Sequence, residues 1–459
     1  MTKRTIDRTQ IPRPGEPRPF NFPEFTKGEI ANGLKIITAP KSNLPLVNVL
    51  LYINASPLDD QHGAEGEMNL LSQLLLEGTK TFTGTQIADG FERIGAQYNA
   101  HVAWNGFFLE INVLKEHLVS AFSLLSDVVQ NAILPDKEFD RLRDETMVDR
   151  LQVLDIAGRL ASEHLFRQLF PDHRYGLPVE GTEESLPNIR LRNLRRFYLD
   201  HLPSRSASLI FTGDITPEEA FALSKNDFSE WAPKIIRTEV SDDFFPSVNP
   251  PVILVHKPGA AQTEVRVGQF LPERKHPDFY KIKLMNEILG GYFLSRLNQN
   301  LREKNGFTYG IHSNLIYRPS IGVFTISAAI QNEFVAPAIG EIFNEVERLQ
   351  ADGVTEDELQ NARGYLTGVF PNAFETIDQI SEALANIITF DLPDNYYRTF
   401  RDKLKEITAE DIRQTARGYL MPDEMQVVLV GDREKIQKQL EEKFDVMVVD
   451  VKGNPISEA

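Results

Sequence analysis

The same order of elements occurs twice in this chain, and that repetition constrains the fold more than any other feature. Each half reads as a strand pair, a helix, a strand hairpin, long amphipathic helices and a closing strand. Particular residues mark the register. RIGAQYNAH places Gly95 and Tyr98 three apart, and KNGFTYGIH places Gly306 and Tyr309 three apart at the matching point of the second half. The closing strands LIFTGDI and VVLVGDR share Gly-Asp at 213–214 and 431–432. Two copies of an α+β layer fold are expected, each a mixed β-sheet with α-helices packed on one face, the pair forming a clamshell.

Boundaries follow from composition and pattern. Residues 1–27, rich in Pro and charge, read as an extended arm. The first half spans 28–240, SDDFFPSVNPP (241–251) is an aperiodic, proline-bearing linker, the second half spans 252–450, and 451–459 is a tail. In the first half, strands are expected within 28–55, with a turn at Asn32-Gly33, and at 96–103, 106–114 and 206–215. Helices are expected at 66–77, 84–94, 115–131, 137–170 and 183–201, with Asp136 and Thr182 as N-caps for the last two. In the second half, strands are expected within 252–272, at 307–316, 321–330 and near 425–435. Helices are expected at 280–293, ending at Gly290-Gly291, and at 333–352, 355–391 and 394–418.

Charge narrows the partners. With 49 basic against 66 acidic residues, the net charge is −17, which argues against nucleic acid. No run is long and apolar enough for a membrane span, so no membrane insertion is expected. The N-terminus has no signal-peptide core, so the cytoplasm is the expected location; a periplasmic one would require processing or a different start. There is no cysteine, which excludes disulfides and thiolate metal sites.

The helix within GAEGEMNLLSQLLLEGT (63–79) brings Asn69, Ser72 and Gln73 together on one surface, because i, i+3 and i+4 are neighbours. A zinc ion held by two imidazoles on one helix needs them four apart. The histidines stand at 62, 101, 117, 164, 173, 201, 256, 276 and 312, and no two are four apart. His62-Gly-Ala-Glu65-Gly66 reads as a glycine-broken loop before the helix.

From about residue 25 to 445 the chain resembles the insulinase/pitrilysin family of zinc peptidases, especially its mitochondrial-processing-peptidase-like members. The residues carrying the resemblance are NGLKI, the helix into EGT (77–79), IGAQYNA (94–100), HRYGLPVEGTEESLPNI (173–189) and TGDIT (212–216). In the second half they are LGGYFLSRLNQNLREKNGFTYGIHS (289–313) and DGVTEDELQNARGYLTG (352–368). The resemblance implies that Asn69, Ser72 and Gln73 occupy the slots of the H-x-x-E-H zinc motif. It also implies that Asp149 stands near the third ligand slot, and that Arg302 and Tyr309 match the family's substrate-binding arginine and tyrosine.

An Asn/Ser/Gln trio provides neither a Lewis acid's ligands nor a base for water, so no metal is expected in this chain. The resemblance therefore implies a non-catalytic, peptide-binding subunit of a heteromeric zinc peptidase. Its partner would be a homologous subunit with intact H-x-x-E-H, which would hold the zinc. A structural or peptide-binding scaffold without proteolytic role is the alternative. Each residue also has a plain structural reading: Arg302 pairing with Glu303, Tyr309 in the core, Asp149 on the surface.

Overall fold

The computed structural model describes residues 19–171, 173–233, 247–248 and 250–456. Most of the arm (1–18) and of the linker (241–246 and 249), with the last tail residues (457–459), lies outside them. Thr26 and Lys27, read as the end of the arm, already pair in the first sheet.

Alternating apolar residues build two six-stranded sheets. The first contains β1 (Thr26–Glu29), β2 (Lys35–Pro40), β3 (Leu46–Ile53), β4 (Gln97–Ala103), β5 (Gly106–Leu114) and β6 (Ala207–Gly213), in the order β1-β2-β6-β3-β5-β4. The second contains β7 (Val252–His256), β8 (Gln262–Leu271), β9 (Thr308–Tyr317), β10 (Gly322–Gln331), β11 (Gln426–Gly431) and β12 (Val446–Val449), in the order β12-β7-β11-β8-β10-β9. Apart from the edge strands β1 and β12 the two orders match. In each, one inner pair is parallel (β2–β6, β7–β11) and the pairs from β6 to β4 and from β11 to β9 are antiparallel. Gly95 and Gly306 have φ of 63° and 65° and stand just before the edge strands β4 and β9. The sequence repeat thus marks one structural position twice. The expected hairpin is β1–β2, with Gly33 at φ 86° in its turn.

Several expected long helices divide. Residues 137–170 form α4 (Asp136–Val153) and α5 (Ala157–Leu169), after α1 (Glu67–Leu74), α2 (Gly84–Arg93) and α3 (Leu118–Asn131). Asp136 is the first residue of α4, not its cap; Pro135 holds the cap position. The helix expected at 183–201 is α6 (Leu191–His201) alone. Thr182 caps a single turn, exchanging hydrogen bonds with Ser185 at 2.8 and 3.1 Å, and Pro187 has no N–H to continue a helix. After α7 (Pro217–Phe228), α8 (Phe279–Asn286) and α9 (Val335–Asp352), the run 355–391 breaks at Phe370–Phe374, which contains Pro371. It leaves α10 (Glu356–Val369) and α11 (Ile377–Thr389). The run 394–418 splits into α12 (Tyr396–Lys405) and α13 (Ala409–Tyr419), the latter opened by a Thr408–Asp411 capping box. α14 (Arg433–Glu441) follows. α7, α14 and β12 were not anticipated, although Thr216-Pro-Glu-Glu219 is a capping-box signature for α7.

The breaks have a tertiary reason. The helices of the first half other than α5 cover one face of its sheet, against Val47, Val49, Leu51, Leu209 and Phe211. The other face, with Leu50, Tyr52 and Ile210, joins the core of the second half, and α11 packs on β3 and β6. Reciprocally α5 packs on β8 and β11, with Leu160 and Leu165 buried among Ile253, Val428 and Val430. Each half thus contributes one helix to the other's sheet, and neither α5 nor α11 can stay collinear with the helix before it. A buried polar chain fastens α11: Ser381 Oγ donates to Asn48 Oδ1 at 2.6 Å and lies 2.8 Å from Thr212 Oγ1. Phe20 and Phe22 of the arm also cross to the second half, onto Phe370, Phe374 and Tyr397.

Gly213 ends β6 at φ 112°, where an added Cβ would meet Leu46 O at 2.2 Å. Gly213→Ala is expected to destabilise the protein by more than about 1 kcal/mol, from left-handed strain plus the clash. Urea unfolding checks it, and a midpoint equal to that of the parent would refute it.

Candidate functional site

The site helix α1 is set by a buried carboxyl group rather than by an ordinary cap. Its N-cap is Gly66 at φ 103°, where a Cβ would meet Glu180 O at 2.6 Å. The capping side chain comes from Asp60, whose two carboxyl oxygens accept from Gly66 N and Met68 N, both at 2.8 Å. Around it lie Glu65 and Glu67, both buried, and Arg174, which pairs with Glu65 at 2.9 Å. Burial pushes the Asp60 carboxyl up to about 8, against the pull of the two N–H donors, and raises that of Glu67. The loop before α1 is glycine-broken as expected, and the exposed ring of His62 lies 3.6 Å from Glu65.

A pH dependence follows. Because the folded-state pKa of Asp60 is raised, folding takes up a proton there. That contribution to stability is full below about pH 4 and is lost as pH rises through about 8. Denaturant unfolding at about pH 5 and about pH 9 is expected to show a loss that Asp60→Asn reduces. An equal loss in both proteins would remove Asp60 as its source.

α1 packs on β4, α4 and α6 through Met68, Leu70, Leu71 and Leu74. Asn69 and Gln73 are half-buried, whereas Ser72 is 1% exposed. The Ser72 hydroxyl donates to Asn69 O at 2.7 Å, so it is committed to its own helix. Asp149 is exposed on α4. The structure brings Asn69, Ser72 and Gln73 together as the spacing requires. Two amides and a hydroxyl bonded to backbone do not fit a zinc ion, whose ligands are thiolate, imidazole or carboxylate. Among the described residues no group of three or more His, Asp or Glu is placed to hold a metal.

Arg302 and Tyr309 lie at the edge of the second sheet. A π-helical segment, Asn298–Lys304, runs along β9 and carries Arg302. Its Asn298 side chain bonds the backbone of Ile311, donating at 2.8 Å and accepting at 3.3 Å. The β9–β10 register slips between Ala328 and Ile330, so β9 holds one extra residue at Tyr309-Gly310. Thr308 Oγ1 secures this bulge, donating to Ala329 O at 2.7 Å and accepting from Gly310 N at 3.1 Å. The bulge turns Tyr309 outward, and it is 90% exposed. Its counterpart Tyr98 sits in an unbroken ladder, half-buried and stacked on Phe91 at 4.5 Å. Tyr309 is therefore not a core residue. Arg302 does meet Glu303, 3.5 Å from its Nε, as its structural reading supposed.

Sequence reasoning missed a cleft of about 240 Å³ on the other side of β4, lined by Gln97, Tyr98, Asn99, Glu110, Asn112 and Asp378. Burial holds the Glu110 carboxyl above its usual range, with repulsion from Asp378 and Glu382 adding to it and Asn48, at 2.5 Å, opposing. The N-terminal turn of α11 brings Asp378 here from the second half. Only the helix exchange creates this juxtaposition, so no local signal announced it.

The fold and site define a duplicated α+β protein in which helix α1 presents three neutral side chains, Asn69, Ser72 and Gln73, on one surface. A family model described as Insulinase (Peptidase family M16) matches residues 35–183, and one described as Peptidase M16 inactive domain matches residues 188–366. The chain belongs to this insulinase family. It is 27% identical over 365 residues to an uncharacterized zinc protease of Rickettsia bellii, covering 78% of this chain and 86% of that one. A Bacillus subtilis relative, also described as an uncharacterized zinc protease, is 24% identical over 340 residues, covering 73% and 81%. Two solved structures share the fold. A peptidase M16 inactive domain from Pseudomonas fluorescens has a TM-score of 0.81 at 24% identity, covering 89% of this chain and 98% of its own. A Helicobacter pylori protease has a TM-score of 0.82 at 18% identity, covering 89% and 99%. Among the described residues no helix is long and apolar enough to cross a membrane.

Proposed function

We propose that this chain is a non-catalytic, peptide-binding subunit of a heteromeric zinc peptidase. It contributes Arg302 and Tyr309 to the active site of a homologous partner that carries intact H-x-x-E-H and the zinc. One contrast carries the reading. The metal positions hold Asn69, Ser72 and Gln73, with Ser72 bonded into its helix, while Tyr309 is held outward on a bulge at 90% exposure. A tyrosine hydroxyl so placed donates to an oxyanion, and a guanidinium clamps peptide carbonyls. The outer edge of β4 pairs with no strand among the described residues, which suits an extended peptide. The carboxylates beside it suit a basic side chain.

Co-purification with an H-x-x-E-H homologue, followed by cleavage assays of each chain alone and of the mixture, tests the proposal. Cleavage is expected from the mixture and not from this chain alone. A mixture no faster than the partner by itself would leave this chain a scaffold, and cleavage by this chain alone would refute the reading outright.

A further inference from the structure

The loop between α8 and the Asn298–Lys304 segment is forced outward. Gly290 lies so close to β9 that a Cβ would meet Ser313 N at 2.8 Å, and one on Gly291 would meet the Glu287 carboxylate at 2.8 Å. The two glycines therefore do more than end the π-helical turn Glu287–Gly291: Gly290 lets the backbone press against β9, Gly291 leaves room for the Glu287 side chain, and the next residues project into solvent. Phe293 is 61% exposed and Leu294 56%. The Phe293 ring is thus held in water beside the Asn298–Lys304 segment.

Its neighbour there is Arg302. The Arg302 guanidinium carbon stands 4.5 Å from the centroid of the Phe293 ring. Among the described residues the one ion pair of Arg302 is with the adjacent Glu303, at 3.5 Å, and its side chain is 34% exposed. A long flexible side chain with so few restraints samples many rotamers in water. An aromatic face under the guanidinium holds it by cation–π attraction and leaves the N–H donors at its rim free to reach an acceptor.

We infer that Phe293 is the positioning residue for Arg302, presenting the guanidinium edge-outward to the carbonyls of a bound peptide. This rests on the proposed peptide-binding role of Arg302. Phe293 itself need touch no substrate; it acts by restricting where Arg302 can be.

The full-length chain labelled with 15N-arginine gives a direct readout. The Arg302 Nε–H resonance, assigned by its absence in Arg302→Lys, should feel the ring current of Phe293 and move when Phe293→Leu removes the π face but keeps apolar bulk. In the mixed complex, with an internally quenched fluorogenic peptide as probe, Phe293→Leu should lower kcat/KM about fivefold, and about thirtyfold where assembly excludes water from the pair. Phe293→Trp, which restores a π face, should recover most of that loss. In an Arg302→Ala background Phe293→Leu should cost nothing further, because it acts through the guanidinium. An unmoved resonance, a Phe293→Leu complex as active as the parent, or a loss that persists undiminished in the Arg302→Ala background would each overturn the inference. A harmless Arg302→Ala would instead remove the peptide-binding reading and this inference with it, so the two failures are distinguishable.

Discussion

Tyr309→Phe in the assembled mixed complex is expected to slow cleavage about a hundredfold while assembly stays intact. The side chain is 90% exposed and stands on a bulge tied by Thr308, so removing one oxygen leaves the fold untouched. The loss would be that of a transition-state hydrogen bond, which is typically about 2.7–4 kcal/mol for a well-placed donor. Arg302→Ala should act on the same steps, with a rise in KM if the guanidinium binds ground state and transition state alike. Single-turnover rates of complexes matched by size-exclusion chromatography measure both. Unchanged turnover in the Arg302/Tyr309 double variant would reject a composite site. The reverse construction, Asn69→His with Ser72→Glu and Gln73→His, should at best recover metal binding. Position 72 is 1% exposed, so a glutamate there has to overpack the helix contact.

The largest expected effect on stability lies far from this site. Leu165→Ala should cost about 2–5 kcal/mol, the range for emptying a core leucine site. Leu165 belongs to the first half by sequence and is 1% exposed, yet it packs against the second sheet, with Cδ2 placed 2.9 Å from where a Cβ on Gly268 would lie. Because α5 and α11 are exchanged, loosening one half uncovers the other. Calorimetry of the variant should show a single transition shifted down as a whole. Two separated transitions, with only one moved, would mean that the halves fold independently and that the exchange is a surface contact.

Much of this architecture was legible without coordinates because it rests on local, periodic signals. The Asn32-Gly33 turn, the hairpin β4–β5 and the paired glycines 95 and 306 follow from alternation and left-handed backbone, properties that a few neighbouring residues decide. The placement of Asn69, Ser72 and Gln73 on one surface follows from helix geometry alone. Residues 137–170 and 355–391 misled for the same reason. Each keeps a helical period through its break, and what ends the helix is the need of α5 or α11 to turn onto a distant sheet. Pro371 was a local warning at the second break; Leu154–Ile156 carries none at the first.

The amino-acid sequence alone determined that the fold is duplicated, that Asn69, Ser72 and Gln73 share one helix surface with no histidine pair four apart, and that an arginine and a tyrosine stand at 302 and 309. It could not say what those two residues face. Tyr98 and Tyr309 stand at the same point of the same repeat. One is half-buried against Phe91 and the other is almost wholly in solvent, because β9 carries one residue more than its partner strand and β4 does not. The stacking of Arg302 on Phe293 and the meeting of Glu110 with Asp378 are likewise decisions of tertiary structure. The helix exchange depends on contacts between residues far apart in the chain, and the bulge and the stacking depend on how strand and helix pack in three dimensions, which neither alternation nor helical period encodes.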